Sequence, residues 1–423
     1  MTKLGVLFSV LGVGAGCIPA FAQKQLPNII VMLSDDQGWG DLGFTGNTFV
    51  QTPNIDRIAH EGTILENFYV CPVSSPTRAE FLTGRYHVRS GVNSTTGGGE
   101  RFNLGEKTIA EYFREAGYAT SLFGKWHSGT QYPYHPNARG FEEFYGFCSG
   151  HWGNYWNPVL EHNGEIISGE GFIIDDLTDK ALDYIRDHKE HPFFMFLSYN
   201  TPHSPMQVPD SWWNRVKDRT LSQRATFPEQ EDTTFTKAAL ALAENLDWNI
   251  GRVLSLLHSL DLEQETIVIY FSDNGPNSFR WNGGMKGRKG STDEGGVRSP
   301  FCIRWPGHIR KGAVETQLSG AIDLIPTLLG LAGIEYTPLR KLDGIDWGQR
   351  LLDEKAPAMD RVLYSYWGGK TSVRIPYYLL DAEGHLYKTD IDREQRKDVS
   401  DKEPEIHDRL YQDSHQRREN PEI

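Results

Sequence analysis

Cysteine is scarce in this chain: 4 in 423 residues, at positions 17, 71, 148 and 302. So sparse a set cannot form a disulfide framework; among the last three, one bridge at most is possible, and its pairing stays open. Positive charge is also in deficit, with 43 Lys and Arg against 56 Asp and Glu, a formal net charge of −13. That balance argues against a nucleic-acid partner, which calls for a basic face. No internal repeat is evident. The one long apolar run, Leu4 to about Pro19, is glycine-rich and short for a bilayer span, which argues against stable membrane insertion.

That run follows Lys3 and ends in Ala20-Phe21-Ala22, a small-x-small sequence. Residues 1–22 are therefore expected to be a signal peptide cleaved after Ala22, making the protein exported, periplasmic or secreted. Loss of Lys3 takes the formal charge to −14, so any anionic substrate would need local positive charge to overcome the global field. Hydrophobic content of 38%, 43 glycines and 11 tryptophans suit a loop-rich globular enzyme.

Asn28 to Leu33 is a near-continuous apolar run, as expected of a parallel strand buried on both faces. Thr52-Pro53 is expected to cap and open a helix that ends at Gly62, and Thr108-x-x-Glu111 reads as a capping box. Strands are expected at 119–123, 193–197 and 266–271, with helices at 174–188 and about 237–260 between them. This alternation predicts an α/β fold with a large, mainly parallel sheet flanked by helices over 23–338. A smaller antiparallel subdomain is expected over 339–423, with strands at 362–367, 371–375 and 377–380 and a charged tail that is a solvated helix or a frayed end. Asp35, Asp36, Lys125, His127, His203, Asp273 and Asn274 all follow predicted strand ends, the edge where open α/β sheets bind ligands.

The organising stretch runs from Cys71 to Arg85. Pro76 suits a first helical turn, so Ser74 and Ser75 lie where unpaired N–H groups and the positive helix end point outwards. A hydroxyl there, with Arg78 one turn on, reads as a nucleophile beside an anion site. Ser74-x-Pro76-x-Arg78-x-x-x-Leu82-Thr83-Gly84 resembles the motif of the type I sulfatases in its serine form, with six fixed positions in eleven residues. The likeness extends over about 27–395, including Leu386-Tyr387-Lys388-Thr389-Asp390. It implies an alkaline-phosphatase-like fold and oxidation of Ser74 to formylglycine by a serine-type formylglycine-generating enzyme.

Asp35, Asp36, Asp273 and Asn274 are hard oxygen donors, suited to Ca2+ or, as the lesser candidate, Mg2+ rather than zinc. In the resembled family the matching residues hold a divalent cation, usually calcium, together with the side chain at 74. Gly124-Lys125-Trp126-His127, Thr201-Pro202-His203 and the segment from Arg288 to Arg298 resemble further family motifs, with Lys289 at a sulfate-contacting position. Lys286 and Arg288 read as solvated loop charge, and Asp293 departs from the aromatic residue common in relatives. The resemblance implies attack on sulfur by one hydroxyl of a formylglycine hydrate, with Asp273 as base. Arg78, Lys125 and Lys289 would neutralise the sulfate oxygens. His203 would protonate the departing alcohol and His127 deprotonate the second hydroxyl.

The substrate is less sharply defined. His151, Trp152, Arg280 and Trp281 lie in polar, aromatic-rich loops suited to holding a sugar. The expectation is a sulfated saccharide, a galactose or N-acetylgalactosamine unit attacked from the chain end. Two alternatives are a phosphoric ester or phosphonate hydrolase of the same superfamily and a non-catalytic binder of sulfated glycans.

Overall fold

The structure, a computed structural model, describes Met1 and residues 26–420. Apart from Met1, the expected signal peptide lies outside the described residues.

Four strands form where apolar runs predict them: Asn28–Ser34, Ala119–Lys125, Phe193–Ser198 and Thr266–Ser272. Glu143–Phe147, whose Glu and Gly disguise it, makes a fifth parallel member. The order is Thr266–Ser272, Asn28–Ser34, Phe193–Ser198, Ala119–Lys125, Glu143–Phe147, all parallel. Phe301–Arg304 adds antiparallel at one side and the hairpin Val159–His162/Glu165–Ser168 at the other. Thr63–Leu65 and Ala313–Glu315 complete ten strands, so the sheet is mixed but parallel at its centre.

Both faces of this sheet are covered. Ile29, Val31, Leu33, Ile267, Ile269 and Phe271 enter one core, packed by the Ser74–Thr83, Ile109–Glu115 and Leu324–Ala332 helices. The intervening Ile30, Met32, Val268 and Tyr270 enter the other, packed by Pro53–Glu61, Ile173–His188 and Thr233–Ser259. The period of two in side-chain direction thus builds a core on each side of one strand.

Thr108 and Glu111 form the expected capping box. Thr52 does not cap its helix: its hydroxyl donates to Asp56, and the first helical N–H groups are met instead by Asp247, at 2.9 Å from Asn54 and 2.7 Å from Ile55. Beyond the large sheet, Leu363–Trp367, Lys370–Ile375, Tyr378–Leu380 and Leu386–Lys388 form an antiparallel meander. Of the two expectations for the charged tail the helix holds, over Pro404–Glu419, and it buries Leu410 with Val373, Leu380 and Leu386. Arg374 ties the meander to the main body through Glu294, 3.1 Å away. Cys71, Cys148 and Cys302 are buried free thiols. Among the described residues no helix is long and apolar enough to cross a membrane.

Candidate active site

Because the central strands are parallel, their carboxyl ends open on one edge. Asp35 and Asp36 follow Asn28–Ser34, Lys125 ends its strand with His127 two residues on, and Asp273 and Asn274 follow Thr266–Ser272. His203 lies in the loop after Phe193–Ser198. Ser74 is the first residue of its helix, every residue of which is buried.

The Ser74 hydroxyl accepts from Arg78 Nε at 3.0 Å and lies 3.1 Å from His127 Nδ1. His127 Nε2 is 2.8 Å from the Thr95 carbonyl, which can only accept. Nε2 therefore carries the ring proton, and the Nδ1 lone pair faces Ser74, whose O–H donates to it. Burial first, then the nearby Lys125 ammonium, holds the imidazole well below its ordinary pKa, so it is uncharged at neutral pH. His127 sits in the left-handed region at φ 57°, as does Asp36 at 63°, conformations uncommon for non-glycine residues and found at functional sites. Gly150 lies against the His127 ring; a Cβ there would collide with it.

Three cations meet three carboxylates. Lys125 Nζ is 2.7 Å from Asp35, Lys289 Nζ 2.6 Å from Asp36, and Arg78 Nη2 3.3 Å from Asp273. Arg78 also donates to the Lys125 carbonyl at 3.0 Å and to the Ser198 hydroxyl. Asn274 donates to Asp36 at 2.8 Å, and the Asp36 N–H donates to Asp273 at 3.1 Å. His203 Nε2 reaches within 3.5 Å of Asp36, while its Nδ1 donates to the Ser204 carbonyl at 2.6 Å. Burial raises the Asp35 pKa, but Lys125 and His203 outweigh it and the net shift is downward. Burial likewise opposes charge on Lys289, and Asp36 with Asp35 outweighs it, so its pKa rises. For Lys125 burial prevails over Asp35 and the pKa falls.

Oxygen donors are left over in this cluster. Asp35 Oδ1 and Asn274 Oδ1 are buried with no hydrogen-bond partner, a costly state unless another group meets them. Together with Asp36 and Asp273 they make an oxygen-rich set that fits a hard divalent cation. Since the three carboxylates and three side-chain cations cancel, such an ion would leave the centre with two positive charges in excess. That supplies local attraction for an anion on a protein of formal charge −13.

The expected sugar contacts fare differently. His151 is exposed at the rim, its ring 5.3 Å from that of His203. Trp152 is half-buried and stacked on Phe147 at 4.9 Å, leaving one face for other contacts. Trp281 is half-buried against Gly40 and Gly46 rather than standing free. Arg280 does not offer the free guanidinium expected of a sugar contact: it is 4% exposed, and each of its nitrogens is engaged. Nε donates to Asp41 at 2.9 Å, Nη1 to Asn277 and Ser278, and Nη2 to Asp41 at 2.7 Å and the Asp36 carbonyl at 2.9 Å. It is a strut that holds Asp36 in its left-handed turn. The sequence reading missed Asp41, Ser198 and the Thr95 carbonyl; Ser198 alone carried a signal, as the last residue of a predicted strand's extension.

Comparison with known proteins agrees with this geometry. The Sulfatase family pattern matches residues 27–334, and that described as N-sulphoglucosamine sulphohydrolase, C-terminal, matches 289–418. N-acetylgalactosamine-6-sulfatase of Mus musculus is 32% identical over 402 residues, covering 86% of this chain and 72% of that protein. Steryl-sulfatase of Mus musculus is 28% identical over 445 residues, covering 82% and 68%. Among solved structures, Ps i-CgsB in complex with k-i-k-neocarrahexaose superposes with a TM-score of 0.82 at 28% identity over 93% of each chain. The chain belongs to the sulfatase family and is a sulfuric ester hydrolase.

Proposed function

We propose that the protein removes sulfate from a sulfated carbohydrate, a galactose or N-acetylgalactosamine unit, at the centre around Ser74, and that it is exported with residues 1–22 removed. The observation that carries the reading is the Ser74 hydroxyl held between Arg78 and an uncharged His127, inside a ring of lysines and carboxylates. Saccharide specificity is supported by one relative's name, N-acetylgalactosamine-6-sulfatase, and by the neocarrahexaose held by one structural neighbour. Steryl-sulfatase, also a relative, makes the substrate class a matter for assay.

Asp35, Asp36, Asp273 and Asn274, with the side chain at 74, would hold a calcium ion, which supplies Lewis-acid polarisation of oxygen. Oxidation of Ser74 by a maturation enzyme would supply an aldehyde whose hydrate offers two hydroxyls on one carbon, one to take the sulfuryl group and one to expel it. The chain's own residues do the rest. Arg78 fixes the oxygen at 74 through its Nε–H and holds Asp273 in place with Nη2. Lys125 and Lys289 bring positive charge to the sulfate oxygens. His127, with its proton fixed on Nε2 by Thr95, accepts a proton at Nδ1 from the oxygen at 74. His203 presents Nε2 at the rim, where it can give a proton to the departing alcohol.

The test is turnover of 6-sulfated N-acetylgalactosamine and of an aryl sulfate against the matching phosphate esters, with mass spectrometry of the Ser74 peptide. Sulfate release by protein whose peptide is lighter by one hydrogen molecule is expected. Faster phosphate release, or full sulfate turnover with Ser74 unchanged, would overturn the reading. Amino-terminal sequencing of the exported protein should begin at Gln23.

A further inference from the structure

A cavity of about 430 Å³ is lined by Phe227, Phe279, Met285, Arg288 and the 394–396 segment, and by Arg280, whose guanidinium reaches the Asp36 carbonyl of the candidate centre. Its volume falls in the range of small-ligand sites. Two links join it to the centre. Pro276, on its wall, comes two residues after Asn274, and its carbonyl accepts the Lys289 N–H at 3.0 Å. Neighbouring side chains on that loop then diverge: Lys289 turns in to Asp36, whereas Arg288 turns over the Phe279 ring, 4.8 Å from its centroid.

The charges along this wall are not equivalent. Lys286 is matched by Asp293 at 3.2 Å and Asp381 at 3.8 Å, and Arg396 is paired with Glu394. Arg288 is exposed and has no carboxylate partner among the described residues; its one hydrogen bond is a long 3.4 Å contact to the Asn277 carbonyl. Phe227, 53% exposed, lines the cavity together with Phe279. Aromatic walls suit the C–H faces of a sugar ring, and an unmatched guanidinium suits an anionic substituent through paired N–H donors.

We infer that this cavity is a second saccharide subsite, which takes the sugar unit next to the one being desulfated and binds an anionic group on that unit through Arg288. The inference rests on the saccharide reading above and deepens it: the preferred substrate is a sulfated oligosaccharide carrying a second negative charge beside the reacting unit. A sulfated monosaccharide reaches the Ser74 centre but leaves Arg288 unmet.

The experiment compares kcat/KM of wild type, Arg288→Ala and Phe279→Ala on a sulfated monosaccharide and on a disaccharide with a second sulfate or a carboxylate on the adjoining unit. Loss of one charge-assisted contact is expected to lower kcat/KM on the disaccharide roughly tenfold or more, mainly through KM. Monosaccharide turnover should stay at the wild-type level, and a disaccharide with a neutral adjoining unit should be insensitive to Arg288→Ala. Equal losses on mono- and disaccharide, or none on either, would overturn the inference while leaving sulfatase activity on sugars intact. If wild type turns over neither saccharide but hydrolyses an aryl sulfate, the saccharide reading falls, and this subsite with it. Arg288 is exposed, so its variant should fold; a thermal melt checks this, and Arg288→Lys, which keeps the charge, should restore part of the disaccharide preference.

Discussion

Replacing Asp41 by Asn tests whether the Asp41–Arg280 pair governs the proposed cation site. Both side chains are 1% exposed, and the change keeps their shape while leaving the Arg280 charge without its counter-charge. Breaking a buried pair from one side costs about 3–5 kcal/mol. Unfolding entropy of about 2 cal/mol/K per residue, over a chain this long, makes each kcal/mol worth on the order of 1 °C. The melting temperature should therefore fall by roughly 3–6 °C. A second effect separates positioning from stability. Arg280 also donates to the carbonyl of Asp36, whose left-handed turn aims its N–H at Asp273 and its carboxylate at the Asn274 amide. Groups behind metal ligands typically alter affinity by about 10- to 100-fold when removed.

Calcium titration by calorimetry, paired with melts in calcium and in chelator, reads both. Asp41→Asn should bind calcium at least about tenfold more weakly. The double variant Asp41→Leu, Arg280→Met removes both charges and should recover much of the melting temperature, since apolar replacement of a buried pair is often tolerated. It should not recover calcium affinity, because removing Arg280 takes away the donor to the Asp36 carbonyl. Wild-type calcium affinity in both variants would refute the reasoning, whatever happened to stability.

Three further outcomes are expected. Ser74→Ala should abolish sulfate release yet cost less than about 1.5 kcal/mol of stability in a melt, because Arg78 keeps its bonds to Lys125, Ser198 and Asp273. Chelation of calcium from protein held at about 100 times its dissociation constant should lower stability by roughly 3 kcal/mol; an unchanged melting temperature would remove the ion from the site. Glu80 is buried, and that burial, aided by Asp343 and Asp323 against bonds from Cys71 and the His87 N–H, pushes its pKa from 4.5 up to about 8. Between those values the folded chain keeps a proton that the unfolded chain has released, so stability falls as pH rises across the window and levels off above it. Glu80→Gln should flatten that decline, worth on the order of a few kcal/mol, in melts taken from pH 5 to 8; an unaltered slope would assign the decline to other groups.

Much of the fold was legible because its signals are local. A buried parallel strand needs an uninterrupted apolar run, and a capping box needs two residues three apart, so Asn28–Ser34 and Thr108–Glu111 are readable without their neighbours. Short edge strands such as Ala313–Glu315 and Glu165–Ser168 carry no such pattern, since their pairing is set by what lies beside them. Likewise Thr52 has the letter of a cap, but Asp247, far along the chain, makes the bonds.

The candidate centre was legible for a topological reason. All central strands point their carboxyl ends to one edge, so a polar residue just beyond any of them arrives there whatever the strand order. The rule weakens with distance from the strand. Arg280, eight residues past Ser272, lies beneath the site because Asp41 draws its guanidinium inward, and nothing near it in sequence announces that partner. Lys289 is farther still along the same loop, yet it reaches Asp36, because its backbone N–H is anchored on the Pro276 carbonyl beside the strand end. Loop residues are thus placed by their anchors, and sequence distance from the strand does not decide whether a side chain meets the substrate or supports the residue that does.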